Sequence, residues 1–333
     1  MHFDTFLATD SLTGYPALAR AAEQAGVDAV WTAETRHDPF LPFPLIAEHT
    51  HRLRFGTAVA ISFARSPMTL AYTAWDLAAM SGGRLILGLG TQVKPHVERR
   101  FSMPWPESPV SRLREFLQAL RAIWACWQTG ERLNFQGKHY RHTLMTPFFN
   151  PGPIAHPDIP IFIAGVNIGL ARLAGAACQG FHVHPYHSVG YVREVLIPAI
   201  EQGANSAGRA RADLELVTTA FVFTDEIEAE VVRQQISFYA STPTYKAVME
   251  HHGWDETAEA LSRRAARGEW AEMPALITDD MLETFALHSA PAELGRRLRE
   301  RYDGLLDRVA LYRPLDGQDL EAWTHLGEQI HSR

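Results

Sequence analysis

The sequence alternates between short strand-like segments and longer helix-like segments along its whole length. HFDTFL, VDAVWTA, RFGTAVAIS and RLILGLGT are apolar runs, and each is followed by a stretch with apolar residues at helical spacing. The alternation resumes with PIFIAG, GFHVHP, LELVTTAFVF and DRVALYRP. Eight strand candidates separated by helices predict an α/β fold, a (β/α)8 TIM barrel.

Two segments depart from this alternation. NFQGKHYRHTLMTP, before the fifth strand, predicts a β-hairpin centred on Gln136-Gly137. Residues 225–290, after the seventh strand, are mostly helical in pattern and longer than one crossover needs. With no internal repeat or linker, we expect one domain over residues 1–333 that carries these two excursions.

An open, doubly wound sheet is the competing arrangement. It would be expected to carry a dinucleotide-binding fingerprint after one of its strands. Gly88-Leu89-Gly90 is a G-x-G, but Val93 stands where the third glycine belongs. The barrel is therefore the favoured prediction.

Composition narrows the class of partner. The 333 residues have a formal net charge of −7, which argues against nucleic acid as the main partner. No apolar run is long enough to span a membrane, and the first residues lack the features of a secretory signal. Cys126 and Cys178 lie in apolar helical patterns and are expected to be buried free thiols. We expect a cytoplasmic protein that binds a small molecule.

The loop after the second strand is rich in titratable groups. In a barrel, the chemistry lies at the carboxyl ends of the strands. TAETRHDPFLP places Glu34, His37 and Asp38 at one such end, where a proton donor can face a ligand. The alternative is an aspartate that caps the next helix beside a surface histidine.

The loop after the fifth strand, in AGVNIGLARLAG, leads directly into a helix. The free backbone N–H groups of Val166, Asn167 and Ile168 would attract an anion. An ordinary capped helix is the alternative. Basic residues after the third and fourth strands suggest an anionic ligand, with a solvated charged loop as the alternative; they are Arg65, Lys94, Arg99 and Arg100.

The stretch FHVHPYH contains an H-x-H pair, His182 and His184, whose side chains point to the same side of a strand. A metal site would need further ligands. Asp225 is available, but His288 and His325 lie in predicted helices rather than at strand ends. We expect no metal and two neutral histidines, with His184 at the mouth and His182 deeper in the barrel. A metal-dependent barrel hydrolase is the less favoured alternative.

Several stretches together resemble a known superfamily. They include VWTAETRHDPFLP, LRFGTAVAISFARSPMTLA, SGGRLILGLGTQVKPHVERRF and IAGVNIGLARLAGAACQG, in this order and spacing. They resemble the bacterial luciferase-like monooxygenase superfamily, and within it the oxidoreductases that use the deazaflavin coenzyme F420. The resemblance implies a barrel, a homodimer and hydride transfer between F420 and a small organic substrate. An FMN-dependent monooxygenase of the same fold is the alternative.

The resemblance also implies residue roles. Relatives carry a non-proline cis peptide behind the cofactor ring at the position that matches Ala58-Val59. The implied cofactor-binding residues are Ala58, Val59, Thr91, Gln92, Val166 and Asn167. We assign proton handling to His37, Glu34 and His184. Four aromatic residues are candidates for apolar walls of the pocket, with plain core residues as the favoured alternative; they are Phe6, Trp31, Phe40 and Phe63.

Two departures bear on these roles. Many relatives place a histidine directly after the acidic residue of the second strand, whereas Thr35 follows Glu34 here. Relatives that oxidise sugar phosphates place a glutamate near the position of Val93. The sequence therefore predicts a substrate other than a sugar phosphate.

Overall fold

The computed structural model describes residues 1–332, which contain a closed barrel of eight parallel strands. The barrel strands are β1 (His2–Phe6), β2 (Ala29–Thr32), β3 (Arg54–Thr57), β4 (Leu85–Gly90), β5 (Ile161–Gly165), β6 (Gly180–Val183), β7 (Glu215–Phe223) and β8 (Arg308–Leu311). Each strand pairs with the next, and β8 returns to β1 with Arg308 opposite His2. The (β/α)8 prediction is confirmed.

Helices surround the barrel. They are α1 (Tyr15–Gln24), α2 (Pro42–His49), α3 (Pro67–Ser81), α4 (Pro109–Thr129), α5 (Ile168–Ala177), α6 (Ile197–Ser206), α7 (Glu226–Ala240), α8 (Lys246–Glu250), α9 (Asp255–Arg267), α10 (Asp279–Phe285), α11 (Leu294–Tyr302) and α12 (Leu320–His331). A short helix, Val189–Tyr191, and a π-helical turn, Val192–Leu196, precede α6. The start of α3 shows how sequence sets these bounds, because the Ser66 hydroxyl accepts a hydrogen bond from the backbone N–H of Met68.

The predicted hairpin is present, but its turn lies later than expected. Strands Phe135–Gln136 and Arg141–His142 pair, so the turn covers residues 137–140 instead of being centred on Gln136-Gly137. The buried carboxylate of Glu115, on α4, explains the shift. It accepts hydrogen bonds at 2.6–3.0 Å from the three backbone N–H groups of residues 138–140.

The helical excursion is also present and ends in a strand. Helices α7–α10 fill most of residues 226–285, and Ala286–His288 then pairs in parallel with the outer half of β7. The prediction that His288 lies in a helix is therefore wrong. Pairing with β7, more than 60 residues earlier in the chain, overrides the local helical pattern.

The barrel interior contains a small apolar group and an ion pair. Trp31 and Phe162 are the large members of the apolar group. Below them, Asp4 and Arg308 form a bidentate pair with both N···O distances at 2.8 Å, and the indole N–H of Trp31 donates to the same carboxylate at 3.0 Å. Both charged side chains are almost completely buried. The pair joins the first strand to the last.

Cys126 and Cys178 are buried free thiols, as predicted. Burial raises the pKa of the Cys178 thiol to about 12. None of the helices between residues 1 and 332 combines the length and apolarity that a membrane crossing requires.

Replacing Arg308 with methionine should destabilise the protein by ~3–5 kcal/mol, because Asp4 would be left as a buried charge without its partner. Urea unfolding measures this free energy. As a matched control, Arg296→Met removes an exposed pair with Glu300 at 2.6 Å and should cost far less, because water screens an exposed pair. Equal losses for the two variants would contradict the expectation.

Candidate active site at the carboxyl ends of the strands

The end of β3 carries a bulge. The Ala58-Val59 peptide bond is cis, as expected, and the strand continues at Ala60–Ile61. Gly56 lies opposite Ile86 and Ala60 lies opposite Leu89. An advance of four residues on this strand therefore corresponds to an advance of three residues on β4. One extra residue on one strand is the definition of a β-bulge, a feature that often lies beside active sites.

Strand β4 holds the bulge from one side. The Thr57 hydroxyl donates to the Gly88 carbonyl at 2.5 Å and accepts from the Gly88 N–H at 3.0 Å. A Cβ at Gly88 would lie 1.7 Å from the Thr57 carbonyl oxygen, so only glycine fits there. Farther out, the Ser62 hydroxyl donates to the Gly90 carbonyl at 2.9 Å.

Glu34 holds the bulge from the other side. Its carboxylate accepts from the Ile61 N–H at 2.6 Å and lies 2.5 Å from the Arg65 guanidinium. Arg65 also approaches the Asp38 carboxylate at 3.5 Å. The Glu34 side chain is only 8% exposed. Its contacts support the backbone and the placement of Arg65, and its assignment to proton handling stays a prediction.

The rest of the loop after β2 divides into two roles. The Asp38 carboxylate accepts from the N–H groups of Phe40 and Leu41, just before α2, which is the capping role considered above. His37 lies at the rim with its side chain 64% exposed, and its Nε2 is 4.0 Å from Asp10. The catalytic assignment of His37 stays a prediction.

The turn after β4 has an unusual backbone. Gln92 adopts a φ of 61°, which is uncommon for a residue other than glycine and is often found at functional sites. Its side-chain carbonyl accepts from the Val93 N–H at 2.9 Å, and the Thr91 hydroxyl donates to the Gln92 carbonyl at 3.1 Å. Thr91 and Gln92 are both partly exposed at the barrel mouth.

The basic residues around the mouth have local partners. Lys94 lies 3.9 Å from Glu98, and Arg100 donates to the carbonyl of Thr35. The Arg100 contact ties the loop after β4 to the loop after β2. Both contacts fit the charged-loop alternative for these side chains, while leaving positive charge on this side of the mouth.

The amino terminus of α5 presents free backbone donors. Asn167 takes the N-cap position but its side chain makes no capping bond. Within residues 1–332, the N–H groups of Asn167, Ile168 and Gly169 have no protein acceptor. The Val166 carbonyl accepts from the Tyr191 hydroxyl at 3.1 Å, which fixes this turn. The arrangement is suited to an anion.

His182 lies inside the barrel, as predicted. Its ring centre is 4.9 Å from that of Trp31 and 5.6 Å from that of Phe162. Burial, reinforced by the positive charge of Arg308, lowers the pKa of His182 to about 3. Its Nε2 lies next to Gly88, where a Cβ would be only 2.9 Å away. The residue is therefore a neutral part of the barrel filling.

His184 lies above it, just past the end of β6. Its Nδ1 accepts from the Tyr186 N–H at 3.1 Å, so the proton of the neutral ring is on Nε2. The ring centres of Tyr239 and Tyr245 are 4.7 and 4.6 Å away. Burial, with a smaller contribution from His187, lowers the pKa of His184 to about 3.

The tyrosines around His184 were missed by the sequence reasoning. Tyr239 lies on α7, and its hydroxyl is 2.8 Å from the hydroxyl of Tyr312, just past β8. Tyr186 packs its ring beside Tyr239 at 6.4 Å. A signal was present, because Tyr186 lies in FHVHPYH and Tyr239 and Tyr245 lie in FYASTPTY. Only the fold brings these segments together.

The four candidate wall aromatics divide between two buried clusters. Trp31 and Phe6 belong to the interior group of the barrel. Phe40 and Phe63 lie instead in the layer between the barrel and its helices, where Phe40 packs on Phe43. Both rings are buried, which fits the core alternative considered above.

The structure separates the predicted proton-handling residues. Glu34 and His37 follow β2 and His184 follows β6, and these strands lie on opposite sides of the barrel. Among the described residues 1–332, no group of three or more His, Cys, Asp or Glu side chains is arranged to hold a metal ion. The neighbours of His182 are aromatic rings.

Residues 1–308 match the family model described as luciferase-like monooxygenase. The chain belongs to the luciferase-like monooxygenase family. The resemblance drawn from the sequence is confirmed, and the bulge and the start of α5 lie within the matched range. Membership supports an enzyme of the oxidoreductase class.

Three similar proteins illustrate the relationship. "Uncharacterized protein Rv1360" of Mycobacterium tuberculosis is 46% identical over 304 residues, covering 88% of this chain and 89% of that protein. The F420-dependent glucose-6-phosphate dehydrogenase of Rhodococcus hoagii is 27% identical, covering 92% and 89%. The structure of the coenzyme F420-dependent tetrahydromethanopterin reductase of Methanopyrus kandleri superposes with a TM-score of 0.78 at 21% identity, covering 99% and 98%.

Thr57→Val should destabilise the protein by ~1–3 kcal/mol, because the Gly88 N–H and carbonyl would both lose their buried partner. Urea unfolding gives the free energy. Thr57→Ser keeps the hydroxyl and serves as the matched control, with a smaller loss expected. If serine and valine variants were equally destabilised, the hydroxyl bridge would not be what holds the bulge.

Stability should fall as the pH drops from about 6.5 towards 4, the range between an unperturbed histidine and these buried ones. His182 and His184 have pKa values lowered to about 3, and His187 to about 4. The unfolded chain therefore takes up protons that the folded protein does not. Unfolding free energies measured at several pH values check this.

One variant sharpens the measurement. His182→Leu should flatten the pH dependence by up to ~1.4 kcal/mol per pH unit. Constant stability of the unmodified protein across this range would contradict the placement of three buried neutral histidines.

Proposed function

We propose that the protein is an oxidoreductase that binds the deazaflavin coenzyme F420 in the barrel mouth and transfers hydride between it and a small organic substrate. The observation that carries the proposal is the bulge at Ala58-Val59, braced by β2 and β4 and set in the same mouth as the open start of α5. A relative with 27% identity that is named F420-dependent supports the choice of cofactor.

The residues present fit such a group. Val59 is partly exposed on the ledge formed by the bulge. Gly90 leaves room for the Val59 side chain, because a Cβ at position 90 would lie 2.5 Å from it. The free N–H groups at the start of α5 suit the cofactor phosphate. When bound, the deazaflavin would supply or accept the hydride. The proposed cofactor contacts are Ala58, Val59, Thr91, Gln92, Val166 and Asn167.

The proton-handling residues receive different proposed roles. Glu34 keeps Arg65 and the bulge in place, with its carboxylate paired in the interior. His184 offers an Nε2–H toward the mouth as a neutral hydrogen-bond donor. His37, exposed at the rim, exchanges protons with solvent. We also propose a cytoplasmic location and a homodimer, as the family resemblance implies.

FMN is the alternative cofactor, because its ring and single phosphate would need the same ledge and the same helix start. The positive charge on the β3–β4 side of the mouth, from Arg65, Lys94 and their neighbours, favours the more anionic tail of F420. Nothing in the geometry favours FMN specifically.

Titration of the cofactor-free protein with F420 and with FMN tests the proposal, using the fluorescence of each cofactor. We expect F420 to bind at least ~10-fold more tightly, a difference of about 1.4 kcal/mol. Tight FMN binding without F420 binding would refute the choice of cofactor.

Variants at Ile168 test the phosphate position within the same experiment. Ile168 is 43% exposed at the start of α5. Ile168→Asp should weaken F420 binding ~3–30-fold, because a carboxylate would repel the phosphate at the helix start. Ile168→Asn introduces a side chain of nearly the same shape as aspartate but without its charge, and should have little effect. Equal affinities for the two variants would place the phosphate elsewhere.

A further inference from the structure

We infer that His184, Tyr239 and Tyr245 form the substrate-binding wall of the mouth, and that the substrate is an uncharged organic molecule that presents a carbonyl or hydroxyl oxygen to His184. The inference rests on the proposed function and names the substrate class of the same site. It assigns the wall on the β6–β8 side to the substrate, away from the basic loops.

The geometry leaves His184 with one free hydrogen-bonding group. The ring centre of Tyr239 lies 4.7 Å from that of the imidazole, in an edge-to-face arrangement. The ring centre of Tyr245 lies 4.6 Å from it, with the two ring planes tilted. The Nδ1 atom is occupied by the Tyr186 N–H. The Nε2–H has no partner among the described residues and is not sealed from solvent. A ligand that enters between the rings therefore meets one directed donor.

A second donor lies behind this wall. Tyr186 is completely buried, and its hydroxyl has no hydrogen-bond partner among residues 1–332. Its ring packs against Phe285 at 4.9 Å and beside Tyr239. A buried hydroxyl without a partner costs ~1–3 kcal/mol.

The wall carries no formal charge near neutral pH. His184 is neutral, and burial raises the pKa of each tyrosine hydroxyl, so all stay protonated. The hydroxyl of Tyr239 is paired with that of Tyr312 at 2.8 Å. A phosphate or carboxylate placed here would lose water without gaining a cation, which is costly. The cations next to the wall in the chain, Lys246 and Arg313, lie 3.2 Å from Glu250 and 4.0 Å from Glu228. Arg65 and Lys94 follow β3 and β4, on the other side of the mouth.

The chemistry balances for a carbonyl substrate. When bound, the reduced deazaflavin would supply the hydride for the new C–H bond at the carbonyl carbon, and a solvent proton would form the O–H bond. The substrate would gain the two electrons that the deazaflavin loses. His184 donates a hydrogen bond to the oxygen as negative charge develops there, which lowers the barrier without transfer of its own proton.

Three probes that share a phenyl ring test the inference: acetophenone, benzoate and phenyl phosphate. Ligand-observed NMR gives their dissociation constants with F420-loaded protein and with cofactor-free protein. We expect acetophenone to bind at least ~10-fold more tightly than either anion. His184→Leu should weaken acetophenone ~10-fold, about the value of one hydrogen bond, while His184→Gln, which keeps an N–H donor, stays within ~3-fold.

Matched variants separate the ring from its surroundings. Tyr245→Phe keeps the ring and should bind acetophenone like the unmodified protein, whereas Tyr245→Leu should bind more weakly. His325→Leu, on α12, is the distant control and should change nothing. The thermal midpoint of each variant shows whether it is folded, and the Tyr245 pair keeps the test valid if His184→Leu fails to fold.

Phenyl phosphate binding as tightly as acetophenone would overturn the inference. So would a folded His184→Leu variant with unchanged acetophenone affinity, or no acetophenone binding in either form of the protein. If acetophenone binds with the expected selectivity but F420 does not bind, the substrate wall stands and the proposed cofactor is wrong. The two failures are therefore distinguishable.

Discussion

The buried pair between Asp4 and Arg308 sets the frame on which the mouth of the barrel depends. It links β1 to β8, residues 304 apart in the chain. Trp31 on β2 donates to the same carboxylate, and Glu215 on β7 lies 3.2 Å from the same guanidinium. Four consecutive strands thus share one polar cluster across the seam where the barrel closes. Because two buried charges are tolerated only when they meet, a slipped register is strongly disfavoured.

Above the pair of Asp4 and Arg308, the side chains packed inside the barrel make the bulge possible. Trp31, Phe162 and His182 occupy the next level, and the imidazole is neutral there because burial disfavours its charge. Gly88 has no side chain at this level, which leaves space for His182 on one side and for the Thr57 bridge on the other. The ledge at the mouth is therefore a consequence of how the interior is packed.

The sequence predicted the strands because each is an apolar run of the right length, and it predicted the cis position through resemblance. It misplaced the hairpin turn because Glu115, on a preceding helix, captures the backbone of residues 138–140. It assigned His288 to a helix because the partner of that strand, β7, is distant in the chain. The tyrosines around His184 escaped notice for a related reason. Tyr186 and Tyr239 look like core residues until the fold places the excursion over β6.

The two sides of the mouth are built by different parts of the chain, and this has a consequence for specificity. The side with the bulge is fixed by barrel strands through Thr57 and Glu34, whose contacts leave little freedom. On the opposite side, Tyr239 and Tyr245 belong to the excursion after β7, a segment that the barrel itself does not require. Changes in the excursion would therefore alter the proposed substrate wall while leaving the proposed cofactor ledge intact. A relative named for a sugar-phosphate substrate and a chain with an uncharged aromatic wall can therefore share one barrel.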